Sequence, residues 1–175
     1  MTDRLRLFVV DDDPLVLDML AAILADVCDL ETFSSGDACL ARLAEAKPDL
    51  FLLDVSMPVM DGYALCRRLK DDWETQDIPV LFVSADDDSE TRMLCYEAGG
   101  DDFIQKSFEP PELFGKLNVA KRILAEKKAL HEQAGYAQRT AMAAMVSMGE
   151  LGVVLQFLSK SFACNSIDEL ATALL

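Results

Sequence analysis

The sequence predicts an α/β protein: a doubly wound, five-stranded parallel sheet with five helices, followed by a long C-terminal helix with coiled-coil spacing. Three observations support this fold. Short apolar runs alternate with helical patterns through residues 1–115, reactive polar residues directly follow those runs, and apolar residues recur four and three positions apart after Lys116. Strands that alternate with helices in this way are typical of a parallel sheet with helices on both faces.

Three of the five predicted strands are short apolar runs, which is typical of strands buried on both faces of a sheet. These runs are residues 5–10, 50–53 and 80–83. Residues 30–33 and 103–105 are weaker strand candidates, because fewer of their side chains are apolar.

Helices are predicted between the strands, where apolar residues recur at helical spacing. The predicted ranges are 14–27, 37–46, 62–70 and 89–98, and a fifth helix begins at Pro110. Asp13 is expected to cap the first helix with its carboxylate. Pro14 fits the first turn of that helix, where its missing N–H is harmless.

The net charge of −15 is unevenly distributed along the chain. Residues 1–115 contain 9 Lys and Arg against 26 Asp and Glu, whereas residues 116–175 contain 7 against 5. An acidic domain is a poor ligand for nucleic acid, because contacts with phosphates require basic side chains. We therefore expect no nucleic-acid binding by this chain, and a boundary near residue 115.

Composition also predicts a cytoplasmic protein with no membrane span. The chain has no apolar run of about 18 residues and no cleavable signal pattern at its start. Its five cysteines are scattered without the close pairs that zinc or redox sites need, so buried free thiols are expected.

Reactive residues follow the predicted strands at the point where each strand ends. Asp11 and Asp12 follow residues 5–10, Asp54 follows 50–53, Ser84 follows 80–83, and Lys106 follows 103–105. Ligands of parallel α/β sheets bind beyond the carboxyl ends of the strands, so these side chains are expected to meet at one edge. Crowded carboxylates there predict a Mg²⁺ site, since magnesium prefers hard oxygen ligands.

A serine hydroxyl and a lysine ammonium at the same edge can stabilise the oxygens of a phosphoryl group. Asp54 then has the surroundings of a carboxylate nucleophile that accepts a phosphoryl group. Any one of these acidic residues could instead be a helix cap. A functional site is favoured because all of these reactive residues stand at the ends of predicted strands.

Four segments together resemble the receiver domains of two-component response regulators, including the chemotaxis regulators. They are residues 9–14 (VVDDDP), 54–62 (DVSMPVMDG), 84–85 (SA) and 101–106 (DDFIQK), and the resemblance covers about residues 4–125. It implies a flavodoxin-like fold and a signalling role.

By this resemblance, Asp54 accepts a phosphoryl group from a sensor histidine kinase or a phosphotransfer protein. Asp12, Asp54 and the backbone carbonyl of Ser56 would bind Mg²⁺ directly, with Asp11 acting through water, and Lys106 would contact the phosphate.

The resemblance also implies a switch that reports phosphorylation to partner proteins. Ser84 would move toward the phosphoryl oxygen, and Phe103 would turn inward with it. Ser56 and Asp86 would line the path of the water that removes the phosphate.

Two positions depart from the family pattern near the conserved lysine. Ser107 follows Lys106 where proline is usual, so the cis peptide often found there is disfavoured by about 2.5–4 kcal/mol. Gly100 stands where alanine is common, and we expect it to loosen this region.

The tail carries a heptad pattern that predicts a long helix pairing with a second copy of the chain. Its apolar positions are Leu130, Ala134, Ala137, Ala141, Ala144, Met148, Leu151, Leu155, Leu158 and Phe162. The alternative is a helix folded back on its own receiver. We expect a receiver domain at 1–125, a long helix or coiled-coil linker at 126–163, and the start of a truncated output segment at 164–175.

Two other functions compete with a signalling phosphoacceptor that is not an enzyme. A magnesium phosphohydrolase of the haloacid-dehalogenase type needs a second aspartate two residues after its nucleophile, where this chain has Ser56. A transcription factor needs a recognition helix, and residues 116–175 show no helix-turn-helix pattern.

Overall fold

The computed structural model describes residues 4–163, and side chains within the long last helix up to Met145 except Ala144. The strands are β1 (Leu5–Val10), β2 (Cys28–Phe33), β3 (Leu50–Asp54), β4 (Val80–Ser84) and β5 (Asp102–Gln105). The helices are α1 (Pro14–Leu24), α2 (Gly36–Arg42), α3 (Gly62–Asp71), α4 (Ser89–Glu97) and α5 (Pro110–Ala163).

The five strands form one parallel sheet in the order β2-β1-β3-β4-β5. The chain moves from β1 outward to β2 and then crosses back to β3 on the other side of β1. This reversal of strand order leaves a crevice at the carboxyl ends of β1 and β3. The predicted fold class is therefore confirmed.

Two apolar layers cover the two faces of the sheet. Phe8, Phe51 and Phe82 point to one face and pack with Leu65 and Leu69 of α3. The neighbouring positions point to the other face: Leu7, Leu52 and Leu81 pack with Leu20 and Leu24 of α1 and with Leu113 of α5. Buried side chains on both faces explain why β1, β3 and β4 are apolar runs rather than alternating ones.

The predicted first residues of the helices agree with the structure more closely than the predicted last residues do. Asp13 accepts a hydrogen bond from the Leu15 amide at 2.9 Å and caps α1, as predicted. The end of α1 comes three residues before the predicted position at 27, because Cys28 already pairs with Leu5 in the sheet. The same pairing makes β2 two residues longer than its weak apolar signal indicated.

Gly100 has a packing role that the sequence did not predict. A Cβ atom built on it would lie 2.5 Å from Cε2 of Phe82 and 2.9 Å from the carbonyl oxygen of Cys95. The missing side chain therefore makes room for a core phenylalanine. Whether Gly100 also loosens the region around Lys106 stays a prediction.

Cys28, Cys39, Cys66 and Cys95 are buried and free, as predicted, whereas Cys164 lies outside the described residues. Burial raises the pKa of the Cys39 thiol to about 12. A thiol that resists ionisation is a poor nucleophile and a poor metal ligand, which agrees with a packing role.

The chain divides into two compact units, Met1–Leu124 and Ala125–Leu175. In the second unit, the described side chains of the predicted seam are exposed, with Leu130 67% accessible. Pairing through this seam stays a prediction, and its later positions, from Ala144 onward, lie outside the described side chains. Among the described residues, no helix combines the length and apolar character needed to cross a membrane.

Candidate functional site

The register of the sheet brings Asp11 and Asp54 side by side. Val10 pairs with Leu53 in the β1–β3 ladder, so the next residue on each strand lies at the same edge. Lys106 reaches this edge from the end of β5, where its amide donates to the carbonyl oxygen of Ser84 at 2.6 Å. Three separate strands therefore supply one cluster of ionisable groups.

The Lys106 ammonium lies between two buried carboxylates. Its Nζ is 2.9 Å from Oδ2 of Asp11 and 3.0 Å from Oδ1 of Asp54. Asp11 and Asp54 are 1% and 3% exposed, whereas Asp12 is exposed beside them. Taking carboxylates out of water is costly, so this arrangement requires compensating positive charge.

Burial dominates the protonation behaviour of Asp54. It raises the pKa of the Asp54 carboxyl, and the nearby Asp11 charge adds to that rise, while hydrogen bonds from Lys106 and from the Ser56 amide oppose it. For Lys106, burial acts to lower the pKa, but the hydrogen bonds to Asp11 and Asp54 outweigh it and raise the pKa. The ammonium is therefore held in its charged form.

The donor set fits a divalent cation that takes oxygen ligands. Asp11, Asp12 and Asp54 each offer a carboxylate oxygen, and all three oxygens lie within 4.8 Å of one another. Three carboxylates outweigh one ammonium by two negative charges, which a single Mg²⁺ would neutralise. Magnesium keeps several waters and needs few carboxylates, so a site with one exposed member suits it.

The remaining predicted residues surround this cluster. Ser84 ends β4 and is 2% exposed, and its Oγ accepts a hydrogen bond from the Asp86 amide at 3.2 Å. Ser56 is exposed two residues after Asp54. Phe103 lies on β5 and is 6% exposed, in register with Phe82 of β4.

The loop from β3 to α3 approaches the site very closely. A Cβ atom on Gly62 would lie 2.1 Å from the backbone oxygen of Asp54, so only glycine permits this approach. Within the loop, the Met60 amide donates to the Pro58 carbonyl at 2.8 Å and Val59 has a φ of 69°. This is a strained three-residue turn, and such strain is typical of functional loops.

Two features of the site escaped the sequence-based prediction. Val59 is fully exposed in its strained turn, but a β-branched residue gives no signal for a positive φ. The guanidinium carbon of Arg92 lies 5.4 Å from the centre of the Phe103 ring. This contact joins α4 to β5, and no local pattern in the sequence indicates it.

The peptide bond between Lys106 and Ser107 is trans, as are the other peptide bonds of the described residues. This agrees with the expectation that a cis bond is disfavoured before a residue other than proline. Lys106 nevertheless reaches both buried carboxylates.

Comparison with known proteins identifies the first unit. Residues 7–118 match the family model described as the response regulator receiver domain. The DNA-binding response regulator MtrA of Mycolicibacterium smegmatis is 35% identical over 122 residues, which are 69% of this chain and 52% of MtrA. The response regulator PleD of Caulobacter vibrioides is 39% identical over 118 residues, which are 67% of this chain and 26% of PleD.

A solved structure shows the same fold. The crystal structure of a putative response regulator from Chloroflexus aurantiacus has a TM-score of 0.65 and 34% identity, and the match covers 70% of this chain and 99% of that one. The chain spans about half of MtrA and a quarter of PleD. The activities of those whole proteins therefore do not transfer to it directly.

Proposed function

Because this chain belongs to the response regulators of two-component signalling and carries their receiver domain, we propose that Asp54 is its phosphoacceptor. The observation that supports this most strongly is the position of Lys106, whose ammonium contacts both Asp54 and Asp11 at the edge of the sheet. A buried carboxylate beside a fixed cation can attack a phosphoryl group and stabilise the charge that the group brings.

The phosphodonor in this proposal is a phosphohistidine of a sensor histidine kinase or a phosphotransfer protein. An oxygen of Asp54 attacks the phosphorus, a P–O bond forms, the P–N bond to the imidazole breaks, and the imidazole nitrogen takes up a proton. Lys106 then shifts its hydrogen bonds toward a phosphoryl oxygen, since transfer adds negative charge at Asp54. Positioning and electrostatic stabilisation supply most of the catalysis in phosphoryl transfer.

Magnesium completes this proposed site. Asp12, Asp54 and the backbone carbonyl of Ser56 would bind Mg²⁺ directly, and Asp11 would act through water. The ion would neutralise charge on the transferred group and help to orient it. The carboxylate cluster supports this assignment because its excess of two negative charges otherwise has no partner in the cluster.

Ser84 and Phe103 are proposed to form the switch. The Ser84 hydroxyl would leave the Asp86 amide and donate to a phosphoryl oxygen, so phosphorylation would favour one arrangement of the β4–α4 loop. Phe103 would occupy its buried position in that arrangement, which is the position that it has here.

The signal is proposed to reach other molecules through changed protein contacts. We infer a homodimer through the helix beyond the receiver, because its described apolar positions are exposed. The division into a receiver at 1–125 and a linker helix at 126–163 belongs to the same proposal, and residues 164–175 lie outside the described residues. We expect this chain itself to act without nucleic acid and without membrane insertion.

The role proposed here is stoichiometric signalling rather than turnover. Ser56 stands where a phosphohydrolase of the haloacid-dehalogenase type would need its second aspartate. A hydroxyl at that position cannot protonate a leaving group as an aspartic acid does.

Phosphorylation by acetyl phosphate tests the assignment. Wild type, Asp54→Ala and the exposed control Asp71→Ala are incubated with acetyl phosphate, with Mg²⁺ or with EDTA, and intact masses are measured. We expect wild type and Asp71→Ala to gain the mass of one phosphoryl group only with Mg²⁺, and Asp54→Ala to gain none. Labelling of Asp54→Ala equal to wild type would show that the site is wrong, and rapid multiple turnover would support the hydrolase.

A further inference from the structure

A contact between α4 and β5 lies outside the phosphoacceptor site but touches the proposed switch. The guanidinium of Arg92 lies over the ring of Phe103, with its central carbon 5.4 Å from the ring centre. A cation over an aromatic face is attracted by the negative charge of the π system. The contact therefore favours the position in which Phe103 is 6% exposed.

The same guanidinium is held from the other side by the β4–α4 loop. Nε of Arg92 donates to Oδ1 of Asp87 at 2.7 Å, and Nη2 donates to the same oxygen. Asp87 follows Asp86, whose amide is bonded to the Ser84 hydroxyl. A short chain of contacts thus runs from Ser84 through the loop and Arg92 to Phe103.

Phe103 is packed in the core but borders an open groove. A groove of about 430 Å³ lies above β5 between α4 and α5, and Phe103 and Arg92 both line it. On the opposite wall of the groove, Lys116 binds both oxygens of Asp102 at 2.8 Å. Arg92 is the cation placed over the ring among the described residues.

We propose that Arg92 is a positioning residue that couples the phosphate-sensing loop to Phe103, with Asp87 as its anchor. This inference rests on the proposed function of Ser84 and Phe103. Asp87 already holds Arg92 over the buried ring here, while Ser84 is bonded to the Asp86 amide, so the clamp favours in advance the Phe103 position that the phosphorylated arrangement would use. The clamp stabilises the phosphorylated arrangement, so its removal weakens the response to phosphate without touching the phosphoacceptor.

Beryllofluoride, a phosphoryl mimic, provides the functional measurement. Its affinity for the full chain with Mg²⁺ is followed by NMR in wild type, Arg92→Gln, Arg92→Lys and the exposed control Arg68→Gln. We expect Arg92→Gln to lose about 2- to 5-fold in affinity, the size of an exposed cation–π contact, with partial rescue by Arg92→Lys and no change in Arg68→Gln.

Double-mutant cycles separate coupling from a general loss of structure. In a Phe103→Leu background, Arg92→Gln should change beryllofluoride affinity much less than in wild type, and Asp87→Asn should add little to Arg92→Gln. Equal losses with and without the Phe103 ring would overturn the clamp, as would an unchanged affinity in Arg92→Gln.

A second measurement distinguishes failure of the Arg92 clamp from failure of the phosphoacceptor proposal. The Arg92–Phe103 coupling is also measured by urea unfolding of wild type, Arg92→Gln, Phe103→Leu and the double variant, all without beryllofluoride. If Asp54→Ala binds beryllofluoride as well as wild type, the proposed function fails. A urea cycle with no coupling between Arg92 and Phe103 instead contradicts the clamp, whatever the phosphoacceptor is.

Discussion

Lys106 and Lys116 make similar contacts in different surroundings. Each Nζ lies within 3.0 Å of two carboxylate oxygens, and the two side chains are 23% and 26% exposed. The difference lies in the acids: Lys106 joins Asp11 and Asp54, whose side chains are 2% and 3% exposed, whereas Lys116 binds Asp102, whose side chain is 44% exposed. Burial of the partner decides whether an ion pair is a structural necessity or a surface contact.

Lys106→Met should show the largest effect. It leaves two buried carboxylates without their cation, which we expect to cost about 3 kcal/mol of unfolding free energy in metal-free protein. Urea unfolding in EDTA measures this loss, and Mg²⁺ should restore part of it because the ion binds the folded cluster. If Lys106→Met were as stable as wild type in EDTA, burial of Asp11 and Asp54 without a cation would carry no measurable free-energy cost, and the prediction would be wrong.

Asp54→Asn should act in the opposite direction. The folded-state pKa of Asp54 is raised, so its contribution to stability is present below the unfolded pKa and is lost as pH rises through the folded pKa. In metal-free protein the neutral amide should therefore be more stable than wild type at pH 7, with the difference disappearing toward pH 3. Urea unfolding across this pH range checks the prediction, and a variant no more stable than wild type at pH 7 would contradict it.

Lys116→Met should show the smallest effect. The ion pair with Asp102 is partly exposed to solvent, so its loss should cost less than about 1 kcal/mol and should depend on salt. The same urea experiment at low and high salt measures it. A loss as large as that of Lys106→Met would mean that burial of the acid is not what separates the two lysines.

The sequence predicted the site better than it predicted the packing around it. Asp11, Asp54 and Lys106 could be placed together because each stands at the end of an apolar run or strand, and parallel strands end at one edge. That argument needs only strand order along the chain, which apolar runs reveal.

Contacts between distant segments could not be predicted in the same way. Gly100 is required by the ring of Phe82, and Arg92 lies over Phe103, but neither pair is marked by local spacing. The early end of α1 likewise depends on where Cys28 joins β1 in the sheet. Such features arise from tertiary packing, which overrides local propensity.

Chemical trapping of the acyl phosphate tests the central claim most directly. Wild type is treated with acetyl phosphate and Mg²⁺, reduced with borohydride, which converts an aspartyl phosphate to homoserine, and mapped by peptide mass spectrometry. We predict homoserine at position 54, with Asp11 and Asp12 unchanged. Homoserine at another aspartate, with Asp54 intact, would contradict the account.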